Sequence, residues 1–212
     1  MPLHHRSSEE IFNTLTHLAG VLFTLSVAWI ILRMGYSSSW QHAFGVTFFS
    51  VGMLIMFSLS TLYHWWMPGK GKRYLRLFDH IGIYVMIASS STPICMGVVG
   101  GALGWTVFGL LWATVIGGTF FKLFIPPGRY PRLSLLLYLA MGWSVVFIAK
   151  PVYESLPLSA LCCILAEGLF YTSGTWFFAH DSKPYFHGVW HLFVLLGSVA
   201  HWLAILLLLS AA

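Results

Sequence analysis

The chain has 212 residues, of which 58% are hydrophobic, 17% aromatic and only 8% charged. Soluble domains carry about 25% charged residues, so an ordinary soluble enzyme, a disordered chain and a disulfide scaffold are excluded, and the bilayer is the main solvent. The net charge of +5 comes from short basic clusters between apolar runs, a pattern that suits anionic headgroups and membrane orientation rather than nucleic acid.

A helix needs about 20 apolar residues to cross the hydrocarbon core. In chain order, the runs that qualify lie near 14–31, 43–66, 78–99, 105–124, 133–149, 158–178 and 189–209. The stretch Met1–Ser8 has no small-residue cleavage site before the first run, which predicts a retained first helix rather than a signal peptide. Turn and charge signals separate the runs at Gly35–Gln41, Pro68–Arg76, Gly100–Gly104, Pro126–Arg132, Lys150–Pro157 and His180–Pro184. None of these connections could hold a soluble domain. The expected architecture is therefore all-α: a single seven-transmembrane helical bundle over 1–212. Cys95, Cys162 and Cys163 form no CxxC pair and read as packing residues.

Lys and Arg placement predicts the orientation. Arg6, Lys70, Lys72, Arg73, Arg76, Lys122, Arg129, Arg132 and Lys183 fall at one set of ends, and only Arg33 and Lys150 at the other. By the positive-inside rule the N-terminus is cytoplasmic and the C-terminus outside.

Ionisable groups inside a membrane are costly and mark candidate sites. Span two ends in Ser60-Thr-Leu-Tyr-His64, span three opens with Asp79-His80-Ile-Gly82, and span seven opens with His187-Gly-Val-Trp-His191. Residues four apart share a helix face, so Ser60 pairs with His64 and His187 with His191. All three segments lie at the basic, cytoplasmic end, where they meet only if spans two, three and seven pack together. Three imidazoles suit a metal and leave a fourth position for water, as in catalytic zinc sites. Asp79 would bind that metal directly or hold its water, and Ser60 would hydrogen-bond the water or a developing oxyanion. The plainer reading is a set of interfacial histidines and a packing serine. His80 lies about 100° round the helix from Asp79 and is left out of the ligand set.

SxxxH closing span two, DxxG opening span three and HxxxH opening span seven resemble the signature of the progestin and adipoQ receptor (PAQR) family, in its bacterial hemolysin III branch. Further matching stretches are Glu9-Glu10-Ile-Phe-Asn13-Thr-Leu-Thr16-His17, Tyr138-Leu-Ala-Met-Gly142-Trp143, Tyr171-Thr-Ser-Gly174 and Pro184-Tyr-Phe-His187 through His201. The resemblance implies a seven-helix protein of the bacterial inner membrane, linked to membrane homeostasis. It implies a zinc ion near the cytoplasmic face held by His64, His187 and His191, with Asp79 ligating directly or through water and Ser60 beside it. It also implies kinship with intramembrane metal hydrolases. The chain departs from the family pattern twice. It has Ser89-Ser90-Ser91-Thr92-Pro93 where Gly-Thr-Tyr-Thr-Pro is expected, and Glu167-Gly168 where two glycines are expected.

Two further groups stand out. Glu10, Asn13 and His17 share roughly one face entering span one; they either complement the helix dipole or orient a ligand histidine. Glu167 sits mid-span and is expected either to pair with His201, away from the metal, or to be protonated and bonded to backbone. Three functions are compatible with this sequence. The first is a zinc-dependent hydrolase of a membrane-lipid amide or ester. The second is a lipid-responsive sensor or receptor with structural zinc. The third, and least favoured, is a cytolytic pore or transporter.

Overall fold

A computed structural model describes residues 7–125 and 127–211. Met1–Arg6, Pro126 and Ala212 lie outside the described residues, and with them Arg6 from the orientation count. Among the described residues, seven helices are long and apolar enough to cross a membrane. They are α1 (Ser8–Ser38), α2 (Trp40–Trp65), α3 (Lys70–Val99), α4 (Gly101–Phe124), α5 (Pro131–Ser155), α6 (Leu158–Ala179) and α7 (Phe186–Ala211). Helices such as α1 and α3 run past their apolar stretches into flanking polar residues. There they can finish their backbone hydrogen bonds and cap their ends without exposing orphan donors to lipid.

Capping residues set several of the boundaries. The Ser7 hydroxyl accepts from the Glu10 amide at 3.2 Å and starts α1. Ser39 accepts from the His42 amide at 3.2 Å and starts α2 one residue after α1 ends, which makes those two helices antiparallel neighbours. Helix α1 packs against both α2 and α7, α3 lies between α2 and α4, and α5 bridges α3 and α6. The bundle closes through the α6–α7 contact. Helices α2, α3 and α7 are the most buried, and α6 is the least. The three central helices are those that carry the candidate ligands.

Two helices depart from regular α geometry where the sequence suggested uninterrupted spans. Pro93 lacks an amide hydrogen, and α3 continues beyond it as a wider π-helical turn over Ile94–Val99. Helix α5 tightens into 3₁₀ geometry over Trp143–Ile148 before it resumes. Lys122, counted above among the surface charges that orient the chain, is 2% exposed. Its ammonium donates to the Ser134 hydroxyl instead of reaching the headgroups. Of the three cysteines only Cys95 is buried; Cys162 is exposed on α6, so the packing expected of it is not found.

Membrane helices associate through close packing of small residues, because lipid is as apolar as a leucine side chain. Gly45 of α2 shows this directly: a Cβ there would stand 2.6 Å from the Pro93 Cα. The obstacle is backbone and cannot rotate away. Gly45→Ala is therefore expected to push α2 off α3 and to cost about 1–3 kcal/mol, read as a lower thermal midpoint of the purified protein, with Gly109→Ala as the control. No atom lies within 4 Å of a Cβ at Gly109.

Candidate metal centre

The first turns of α1 hold the site from one side. His64 Nδ1 lies 2.8 Å from Glu10 Oε2, and Lys72 Nζ donates to Glu10 Oε1 at 2.7 Å. Glu10 is thus clamped between a ligand candidate and a lysine that the sequence assigned only to orientation. A carboxylate can only accept, so His64 Nδ1 carries the proton and Nε2 presents a lone pair. That Nε2 is buried, with no hydrogen-bond partner among the described residues.

His191 is arranged in the same way by different groups. Its Nδ1 lies 3.1 Å from Thr16 Oγ1 and 3.2 Å from the Asn13 carbonyl oxygen. The Thr16 hydroxyl donates its own proton to the Asn13 carbonyl at 2.9 Å. Both groups are therefore acceptors toward His191, whose Nδ1 must carry the proton and leave Nε2 bare. Two imidazoles on different helices are held in the same tautomer, the pattern that prepares histidines for a metal. Asn13 acts here through its backbone, and its side-chain oxygen is buried without a partner. Thr16 was not singled out from sequence, although it stands in the same first-turn stretch.

His187 completes the set. Among the described residues, His64, His187 and His191 each offer a ligand atom, and these atoms lie within 4.8 Å of one another. The ring centroids are 4.6–5.1 Å apart. Nitrogen donors at this separation, one of them an orphaned buried Nε2, fit a single divalent ion. Outside the ring of ligands, His187 Nδ1 is 3.9 Å from Asp181. Tyr185, at a positive φ of 63°, turns the chain into α7, and its amide donates to Glu9 Oε1 at 2.9 Å. Gly188, between the two α7 histidines, admits α1: a Cβ there would meet the Phe12 ring and stand 2.7 Å from Asn13 Oδ1.

The other expected residues surround this group without joining it. His17 stacks on His191 at 3.6 Å. Asp79 and Ser60 both line a cavity of roughly 280 Å³ that His187 and His191 also line, and the Ser60 hydroxyl is buried with no hydrogen-bond partner among the described residues. His80 lines the same cavity. His201 Nδ1 is 2.7 Å from Glu167 Oε2, and both residues lie on the wall of this cavity. The pair was expected away from the metal. It is distant along the helix, yet it shares one internal space with the histidines.

The family model for "Haemolysin-III related" proteins matches residues 5–202. The chain belongs to this family. It is 38% identical to the Bacillus subtilis (strain 168) protein named Hemolysin-3 homolog over 200 residues, 93% of each chain. It is 35% identical to the Hemolysin-3 of Bacillus cereus over 201 residues, 93% of this chain and 90% of the relative. The human monocyte to macrophage differentiation factor, a PAQR relative, is 29% identical over 169 residues, covering 74% of this chain and 67% of its own. This hemolysin III protein is thus a multi-pass integral protein of the bacterial inner membrane.

The Glu10 clamp has a measurable consequence. Glu10→Gln keeps the size of the side chain but removes the charge that orients His64 and pairs with Lys72. Its affinity for added zinc, titrated against a competing chelator, is expected to fall about 10–100-fold. Glu9→Gln, whose side chain accepts from the Tyr185 amide rather than from a ring and keeps an acceptor oxygen, is expected to change it much less.

Proposed function

We propose that this hemolysin III protein is a zinc-dependent hydrolase of a membrane-lipid amide or ester, with its site at the cytoplasmic end of the bundle. The observation that carries the reading is the junction of two features: a three-imidazole group with protein acceptors on one side, and a mostly apolar cavity lined by a carboxylate and a hydroxyl on the other. The histidines would hold the ion. Zinc bound there would supply Lewis acidity and allow water to act as a nucleophile at neutral pH.

The chain's own groups supply the rest. Asp79 stands beside the histidine group but outside it, so it is assigned to a proton rather than to the ion. It takes the proton of the attacking water and returns it to the leaving nitrogen or oxygen of the lipid. The Ser60 hydroxyl donates to the oxyanion that develops on the carbonyl. Apolar side chains of α3, α5, α6 and α7 exclude water and receive the acyl chain. Glu10, Thr16 and the Asn13 carbonyl keep two imidazoles in the tautomer that the ion needs. The two Bacillus relatives are named for haemolysis, but the mostly apolar wall of this cavity favours a lipid chain over an ion path.

Two measurements test the reading. Zinc content of the purified protein is expected to fall to background in His191→Ala; unchanged zinc would remove the ligand assignment. Acyl release from amide and ester lipids is expected to drop about 10²–10⁴-fold in Asp79→Ala while zinc is retained. Turnover undiminished in Asp79→Ala would reject its role. Zinc retained by the wild type with no turnover on any amide or ester lipid would favour a lipid-responsive receptor in which zinc is structural.

A further inference from the structure

Glu167 is a carboxyl group in the middle of a membrane helix, where an unneeded charge or polar group is costly. Its partner accounts for only half of it. Oε2 faces His201 Nδ1 at 2.7 Å, and the His201 side chain is 4% exposed. The other oxygen, Oε1, has no hydrogen-bond partner among the described residues, and unlike His201 Nε2 it is not sealed from its surroundings. Glu167 lies on the wall of the cavity that His187 and His191 also line.

The neighbourhood leaves room there. Gly168, the next residue, also lines the cavity, and no atom lies within 4 Å of a Cβ at that position. Leu165, Leu169 and Trp143 are both cavity wall and outer surface, with exposures of 62%, 59% and 50%. The cavity therefore opens sideways between α5 and α6, toward lipid. A carboxylate oxygen that faces a largely apolar cavity without a donor loses free energy until a donor arrives. In hydrocarbon that donor cannot be bulk water, and the lateral opening admits lipid.

We propose that Glu167, oriented by His201, is a second polar recognition site for a hydroxyl group carried partway along the lipid chain. The inference rests on the reading of the cavity as a lipid site. His191 and His201 stand ten residues apart on one helix, about 15 Å along its axis. An extended chain advances about 3.5 Å for every three bonds, so the recognised hydroxyl lies about a dozen chain atoms from the group held at the histidines. The ligand class is a hydroxylated long-chain lipid, and Glu167 selects it over its unhydroxylated counterpart by accepting a hydrogen bond from the hydroxyl at Oε1. No bond in the ligand is broken there.

The test is a binding titration followed by tryptophan fluorescence, since Trp143 and Trp190 line the cavity. Three long-chain N-acyl amides serve as probes: one hydroxylated about a dozen atoms from the amide, one hydroxylated next to it, and one without a hydroxyl. Zinc-loaded Asp79→Ala protein is used so that turnover does not interfere. The distal hydroxyl is expected to tighten binding about tenfold over the plain amide, and the proximal hydroxyl is not. Added on this background, Glu167→Leu is expected to erase the preference with zinc content unchanged, and Glu167→Gln, which keeps an acceptor oxygen, to retain part of it. Equal binding of the distal and plain amides would overturn the proposal, as would a preference that survives Glu167→Leu. The outcome is independent of catalysis. Tenfold selection without acyl release from any lipid by the wild type would sink the hydrolase reading alone, and acyl release without selection would sink this one alone.

Discussion

Helix α1 is wedged between α2 and α7, and its first turns make the contacts on which the site depends. Hydrocarbon offers no water to complete a hydrogen bond, so an imidazole carried into the bundle must find its partners in protein. Glu10 supplies one for His64, and Thr16 with the Asn13 carbonyl supplies one for His191. These bonds do more than satisfy two donors. They decide which nitrogen of each ring carries the proton, and so turn the bare Nε2 atoms inward. The packing of α1 is in turn conditional on small residues, since a side chain at Gly188 would collide with Phe12 and Asn13.

The same requirement explains why irregular backbone lies where it does. The π-helical turn after Pro93 and the 3₁₀ stretch of α5 both contribute to the cavity wall, through Ile94 and Cys95 on one and Trp143 to Val145 and Ile148 on the other. Non-α backbone at membrane depth is tolerated where it is covered by protein or lines an internal space. The distorted stretches border the space beyond the histidines. Helices α1, α2 and α7 organise the imidazoles, while α3, α5 and α6, together with the rest of α7, shape most of the space in front of them.

Much was legible in the sequence because it follows from local rules. Hydropathy over windows of about 20 residues sets the number of spans, and the i, i+4 spacing puts Ser60 beside His64 and His187 beside His191 on single helix faces. Residue types identified the polar groups whose presence in lipid needs a reason. Other features were out of reach because they depend on contacts between segments distant in the chain. Lys72 and Lys122 look alike as basic residues near helix ends, yet one clamps Glu10 and the other is buried against Ser134. Thr16 looks like any threonine of a membrane helix, whose hydroxyl can bond within its own helix; only its apposition to α7 makes it a partner of His191.

Glu167 shows the division most sharply. Its depth in α6 and its match to His201 across a short connection could be counted at 1.5 Å per residue. That its side chain would line the same cavity as His187 and His191 could not. Composition and periodicity act along the chain, and a seven-span membrane bundle with three histidines near one end follows from them. Helix rotation, close approach at glycines and the distortions of α3 and α5 decided which polar atoms face each other, and those are properties of the packed bundle alone.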